Sequence, residues 1–252
     1  MKVSILSSGS KGNTTFIETK TSKILIDIGN TSKYVKEKLE GFGVDPASLD
    51  AILITHTHVD HVKGLKAFER KYNIPVYLTK IMSKSLDYLN NCVYIDSDEF
   101  DIKDMHINVI KTSHDTDDSR GYIISSNGKS TVYITDTGYI NEKYFKILSN
   151  HNAYIMESNH DIEMLSHSSY PFNLRQRILS DKGHLSNYDS SKYLSTFIGN
   201  NTSYVFLAHL SEENNTETLA YETLVNRLKD DNKSVNNIIV TKQNEETDLI
   251  TL

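Results

Sequence analysis

The sequence predicts an α/β protein in which sheets are covered on the outside by helices. Two observations carry this. Short β-like runs recur along the whole chain, and segments with apolar residues at helical spacing lie between several of them. Strand-like runs outnumber helical ones in the first half, and the pattern then turns to alternation, as expected of layered sheets with helices outside. The strand candidates, in order, are "KVSIL", "TTFIET", "KILIDI", "AILIT", "PVYLT", "INVIKT", "GYIIS", "TVYIT", "AYIME", "SYVFLAHL" and "NNIIVT". The helix candidates are "SKYVKEKLEGFG", which stops at a glycine, then "LKAFERKY", "NEKYFKILS", "SNYDSSKYLSTF" and "NTETLAYETLVNRLKD".

A chain of 252 residues is long enough to bury roughly three quarters of the surface its unfolded form exposes. Its three prolines are scattered and no low-complexity linker interrupts it, so residues 1–252 are read as a single domain. The one cysteine, Cys92, excludes an internal disulfide and fits a reducing compartment. The N-terminal apolar run is too short for a signal peptide, and no stretch reaches the length of a membrane span. The expectation is a soluble cytoplasmic protein with no membrane partner. The formal charge of −6 weighs against binding nucleic acid through broad basic surface. A metal or a local basic patch can still receive a phosphate.

The densest chemistry lies in "AILITHTHVDHVKGL" (51–65). A buried strand is followed by His56, His58, Asp60 and His61, at the carboxyl end where open α/β sheets place their sites. Two histidines at i and i+2 on extended chain point to one side. Asp60 and His61 then fall near the start of the next helix, where Gly64 permits close approach of backbone. Four ligands of two types, imidazole and carboxylate, on a short turn suit Zn²⁺, Mn²⁺ or Fe²⁺.

"HTHVDH" resembles the HxHxDH signature of the metallo-β-lactamase superfamily, and further motifs of that family follow in order over nearly the whole chain. The resemblance implies an αββα sandwich, two facing mixed sheets with helices outside. It implies His56, His58 and His114 of "KTSHD" on one metal, and Asp60, His61 and His209 of "FLAHLS" on a second. Asp136 of "VYITDTG" would bridge them. Asp27 of "ILIDIG" would orient the metal loop without touching the ions. Each downstream candidate ends a β-like run, so ligands gathered at one sheet edge is also what the residue pattern predicts. The cofactor expectation is two divalent ions per chain, zinc or manganese with iron as a third choice. Two such ions acidify water and polarise the oxygen under attack.

Within the superfamily, Cys92 stands outside every motif, unlike the cysteine ligand of one β-lactamase class. The 73 positions between Asp136 and His209 leave no room for a β-CASP insertion. "LSSGSKGNTTFIET", "MESNHDIEML", "RQRILSDKGHLSN" and "LAHLSEENNT" are similar to the WalJ branch of single-domain metallohydrolases. That resemblance implies a 5′→3′ exonuclease acting on DNA, with a part in DNA repair. The alternatives are a small phosphodiester substrate, such as a cyclic nucleotide, or a metal-binding regulatory protein without turnover.

His184 of "GHLSN" is placed to bind a phosphate oxygen or protonate the leaving 3′-oxygen, and with Asp60 it is assigned to catalysis. Asn159 and His160, after "AYIME", are candidates to shape the pocket or hold phosphate. Arg175 and Arg177, in a local basic patch with Lys182, are candidate phosphate contacts. Glu157 is read as structural. The acidic run after His114 is read as a solvated loop, and the turn "SSGSKGN" as a glycine turn or an anion cradle.

Overall fold

A computed structural model describes all 252 residues. Fourteen strands form two seven-stranded sheets. The first six strands are β1 (Lys2–Ser7), β2 (Thr14–Glu18), β3 (Lys23–Ile26), β4 (Ala51–Leu53), β5 (Val76–Leu78) and β6 (Cys92–Tyr94). Seven more follow in the middle and late chain: β7 (Glu99–Ile102), β8 (Met105–Lys111), β9 (Arg120–Ser126), β10 (Lys129–Ile134), β11 (Ala153–Glu157), β12 (Tyr204–Ala208) and β13 (Asn237–Val240). The last, β14 (Ile250–Thr251), returns to the first sheet.

The two sheets share one plan. In the first, β1, β2 and β3 are antiparallel neighbours, and β4, β5 and β6 add in parallel. In the second, β8, β9 and β10 are antiparallel, and β11, β12 and β13 add in parallel. β14 and β7 take the matching edge beside β1 and β8.

Eight helices cover the sheets: α1 (Ser32–Gly41), α2 (Val59–Val62), α3 (Leu65–Tyr72), α4 (Phe145–Leu148), α5 (Ile162–His167), α6 (Phe172–Ile178), α7 (Asn187–Phe197) and α8 (Glu217–Asp230). Alternation along each strand sorts its side chains between two cores. Ile24 and Ile26 of β3 pack between the sheets with Ile107, Tyr122, Ile124 and Phe206. Leu25 between them turns outward to Val35 and Leu39 of α1 and Phe68 of α3. On the far side Val205 and Leu207 of β12 meet Leu194, Phe197, Leu224 and Leu228 of α7 and α8. The layers are therefore helix, sheet, sheet, helix, the αββα sandwich predicted. No helix is long and apolar enough to cross a membrane.

One expectation needs correction. Asp60 and His61 do not open a continuous helix through "VKGLKAFERKY". They lie within the four-residue α2, which ends at Lys63 before α3 begins at Leu65. Gly64 is the reason for the break. A Cβ there would come within 2.1 Å of the Asn30 carbonyl oxygen, and the Gly64 amide donates to the Ile28 carbonyl at 2.9 Å. The site is thereby pinned to the end of β3, with α2 as a separate turn carrying Asp60 and His61.

Candidate metal centre

Every candidate ligand comes from the segment just beyond a strand end. Two of them, Asp136 and His209, and the supporting Asp27 hold a left-handed backbone, with φ of 55°, 57° and 60°. That region is uncommon for residues other than glycine, and held away from a tight turn it marks a site the surrounding structure over-determines.

The polar core of the site starts at Asp27, which is fully buried. Its carboxylate accepts from the Thr55 amide at 2.8 Å, the Thr55 hydroxyl at 2.7 Å and Nδ1 of His61 at 2.7 Å. Burial pushes this carboxyl up, and the His61 imidazole and the Thr55 donors work against it. Because Thr55 spends its proton on Asp27, its oxygen is left to accept from Nδ1 of His56 at 3.0 Å. Two rings thus have their protons drawn to Nδ1, and each presents a bare Nε2. His114 reaches the same state by donating Nδ1–H to the Gly183 carbonyl at 3.1 Å, and His209 by donating Nδ1–H to Glu157 at 3.0 Å.

Those bare nitrogens converge. The ligand atoms of His56, His58 and His114 lie within 4.8 Å of one another, as do those of Asp60, His61, Asp136 and His209. Asp136 spans the two groups: one oxygen is 3.2 Å from Nε2 of His61, the other 3.4 Å from Nε2 of His209 and 3.8 Å from Nε2 of His114. Two ligands on one tetrahedral ion at about 2.1 Å sit ~3.4 Å apart, so this spacing suits a cation. Nε2 of His56, Nε2 of His209 and one oxygen of Asp136 are buried without any hydrogen-bond partner. A buried polar atom left unpaired is costly, and a metal satisfies all three.

The electrostatics agree. Burial holds the imidazoles of His56 and His114 below their usual range, which leaves them neutral donors. At His61 and His209 burial also opposes charge, but the surrounding carboxylates outweigh it and push both rings up, His209 to about 10, so that without metal a proton occupies the place at Nε2 that a cation would take. Surplus carboxylate charge around buried rings is the environment a divalent cation neutralises.

His184 stands at the rim. Its ring lies 5.0 Å from that of His114 and 5.2 Å from that of His209, on the metal side as expected. Nδ1 donates to Glu157 Oε1 at 2.7 Å, and the side chain remains about one fifth exposed. Glu157 is wholly buried; its second oxygen accepts from the amides of Thr137 and Leu185 at 3.0 Å each. Burial would raise this carboxyl, but His184 and His209 hold it at about 2. Reading Glu157 as merely structural missed this: one carboxylate orients both rings. The signal in the sequence was an acid ending an otherwise apolar buried strand, where it must have partners.

A pocket of about 200 Å³ opens here, lined by Ser10, Asn159, Arg177, His184 and His209 among others. Asn159 also donates to the His209 carbonyl at 2.9 Å. Of the other substrate candidates, Arg177 reaches the pocket and Arg175 does not, since its guanidinium is turned to the Ser166 carbonyl. His160 is buried, off the pocket wall, and pushed down by burial to about 4. The turn "SSGSKGN" supplies Asn13, whose amide nitrogen lies 3.2 Å from Asp60 Oδ2 and 3.0 Å from Nε2 of His61. It is a turn between β1 and β2 that also buttresses the metal loop.

The layered fold and the converging imidazoles and carboxylates define a metallohydrolase. Residues 23–197 match the Beta-lactamase superfamily domain. A Streptococcus pneumoniae protein named Exodeoxyribonuclease WalJ is 39% identical over 236 residues, covering 90% of this chain and 88% of its own. Exodeoxyribonuclease YycJ of Bacillus anthracis is 34% identical over 224 residues, covering 86% and 85%. Among solved structures, the metallo-β-lactamase fold protein YhfI of Bacillus subtilis superposes with a TM-score of 0.74 at 16% identity, covering 98% of this chain and 99% of that one. The short form of human tRNase Z gives 0.69 at 13% identity over the full length of both; these two likenesses speak for the fold alone. The chain belongs to the metallo-β-lactamase superfamily and, within it, to the WalJ/YycJ-type branch.

Asp27→Ala should destabilise the metal-free protein. It orphans the buried Thr55 amide and Nδ1 of His61, at about 1–3 kcal/mol for each group. Urea unfolding in chelator is expected to show a loss of about 3 kcal/mol. An unchanged midpoint would mean that Asp27 does not organise the loop.

Proposed function

We propose that this chain is a metal-dependent exodeoxyribonuclease, working 5′→3′ on DNA ends in the cytoplasm with a part in DNA repair. The observation that carries the catalytic half is the pair of ligand groups sharing Asp136, with His184 backed by Glu157 beside them. The DNA half is supported by the two relatives named as exodeoxyribonucleases. His56, His58 and His114 would hold one ion, Asp60, His61 and His209 a second, with Asp136 between; zinc and manganese are the candidate metals. When bound, such ions supply Lewis acidity for a phosphoryl oxygen and acidify water toward neutrality.

The chain's own residues do the rest. Arg177, its Nε paired with Asp115, has its terminal nitrogens left to receive a phosphate in the pocket. His184, its Nδ1–H committed to Glu157, offers Nε2 to the leaving 3′-oxygen. The ionised Glu157 steadies the imidazolium, which carries a proton on each nitrogen, in the orientation that delivers the Nε2 proton, and the ring is left as the neutral Nδ1–H form. Asp27 and Thr55 hold the Nδ1 sides of His61 and His56 and so turn the Nε2 atoms toward the ions they would bind.

The test is digestion of end-labelled single- and double-stranded DNA with Mn²⁺ or Zn²⁺, beside a panel of small phosphodiesters. Mononucleotides released from the 5′ end are expected. Turnover of a cyclic nucleotide with intact DNA would replace this reading by the small-substrate one. Metal analysis of the protein used should find up to two ions per chain.

A further inference from the structure

The imidazoles of the centre can be checked one by one for a partner on the side away from the cluster. His56 has Thr55, His61 has Asp27, His114 has the Gly183 carbonyl and His209 has Glu157. His58 is the exception. Its Nδ1 is on the cluster side, 3.2 Å from Nε2 of His114, and its Nε2 stands 3.8 Å from Oδ1 of Asp115. That oxygen also lies 3.4 Å from Nε2 of His114, but the His114 proton is given to Gly183 through Nδ1; the oxygen is buried and has no hydrogen-bond partner. An imidazole N–H and a carboxylate oxygen, both unspent, therefore face each other about 0.9 Å beyond the ~2.9 Å of an ordinary hydrogen bond. Both side chains are partly exposed, so a small rotation closes the gap.

The other oxygen of Asp115 is already engaged. It accepts from Nε of Arg177, on α6. With Nε held, the guanidinium keeps its two terminal nitrogens for a forked contact to phosphate, and both Asp115 and Arg177 line the pocket. Asp115 thus has one oxygen toward a metal-site histidine and one on the pocket's arginine.

We propose that Asp115 is a positioning residue that joins the metal centre to the substrate: Oδ1 orients His58 through its Nε2–H, and Oδ2 fixes Arg177 as the clamp for a backbone phosphate. The Arg177 half rests on the phosphodiesterase reading above; the His58 half does not. The chemistry is the common one in which a carboxylate behind a metal-bound histidine sets ring orientation and basicity, with a 10–100-fold effect on metal affinity.

The experiment uses Asp115→Asn, Asp115→Glu, Arg177→Met and the double variant Asp115→Asn with Arg177→Met. Zn²⁺ and Mn²⁺ affinity is measured on metal-stripped protein by competition with a chromogenic chelator, without substrate. Steady-state constants are measured on end-labelled DNA. Asp115→Asn should weaken metal binding about 10–100-fold and raise KM for DNA; Asp115→Glu should recover part of the metal affinity. Arg177→Met should raise KM and leave metal affinity alone. The double variant should have a KM no worse than the worse single variant, because both act through one contact. Wild-type metal affinity in Asp115→Asn overturns the proposal whatever happens to KM, and so do KM effects that simply multiply. If the wild-type protein cuts no DNA, the proposed function fails, while the chelator competition still decides the His58 half.

Discussion

Asp60→Ala should abolish hydrolysis and leave the fold intact. The Asp60 side chain makes no apolar core contact. Its oxygen lies 3.2 Å from Asn13, 3.5 Å from Nε2 of His61 and 3.6 Å from Nε2 of His209. Burial acts to raise its carboxyl, yet His61 and His209 hold it far below the usual range, so it enters the site as a full negative charge. Its loss leaves Asp136 as the one carboxylate in the group with His61 and His209. An ion's worth of transition-state stabilisation is several kcal/mol, and each 1.36 kcal/mol is a decade in rate, so the expected fall is ~10³-fold or more. The metal-free variant should still fold, with a lowered unfolding midpoint, because a carboxyl held below its usual range contributes stability at neutral pH. Near wild-type turnover by a variant shown to carry its full metal complement would refute the assignment of Asp60.

The sequence made the frame of the molecule readable because apolar periodicity reports burial. All eleven strand candidates are strands: ten carry buried residues, and β13, at a sheet edge, is half-buried along three of its four residues. The strands it missed are the ones burial does not mark. β6 has three residues, two of them exposed; β7 alternates charged, exposed Glu99 and Asp101 along a sheet edge; β14 has two residues. Charged and very short edge strands protect a sheet from further pairing, and those same properties hide them from a hydrophobic pattern. α6 buries none of its residues, so "FNLRQRI" showed only its arginines.

The site divides along a similar line. His56, His58, Asp60 and His61 could be read from their clustering after a buried strand; Asp27, His114, Asp136 and His209 were legible through the family resemblance, with which the place of the last three at the ends of β-like runs agrees. Glu157 and Asp115 could not be assigned, because their work is defined by partners far away in sequence. Glu157 meets His184 across 27 residues, and Asp115 meets Arg177 across 62. Locally each is one more acid at the end of a strand or loop. Only the three-dimensional arrangement brings Glu157 to His184 and His209, and Asp115 to Arg177. The pair Arg175 and Arg177 makes the same point in reverse: two residues apart on a short helix, they face different partners.

His184→Ala should keep the metals and lower kcat on DNA by about 10²–10⁴, the range for a positioned general acid. The variant removes a ring at the rim, hydrogen-bonded to Glu157 and outside the seven-residue ligand set, so metal content should be unchanged. The leaving group tells the roles of His184 apart. A 3′-alkoxide of DNA needs its proton as the bond breaks, whereas p-nitrophenolate is stable without one. If Nε2 delivers that proton, hydrolysis of p-nitrophenyl thymidine 5′-phosphate should suffer far less than hydrolysis of DNA. If the ring only binds phosphate, both substrates should lose alike. The geometry favours the acid. A ring whose Nδ1–H is fixed on a buried, ionised Glu157 has a set orientation and one free nitrogen, and Gly183 lets it approach the cluster. A Cβ at Gly183 would come within 2.0 Å of the Ile178 carbonyl oxygen, so only glycine allows α6 and the His184 segment to pack this closely. Equal losses on both substrates would move His184 from acid to phosphate ligand. Normal digestion of DNA by the alanine variant would leave the catalytic proton without a donor in this pocket and would remove His184 from the mechanism.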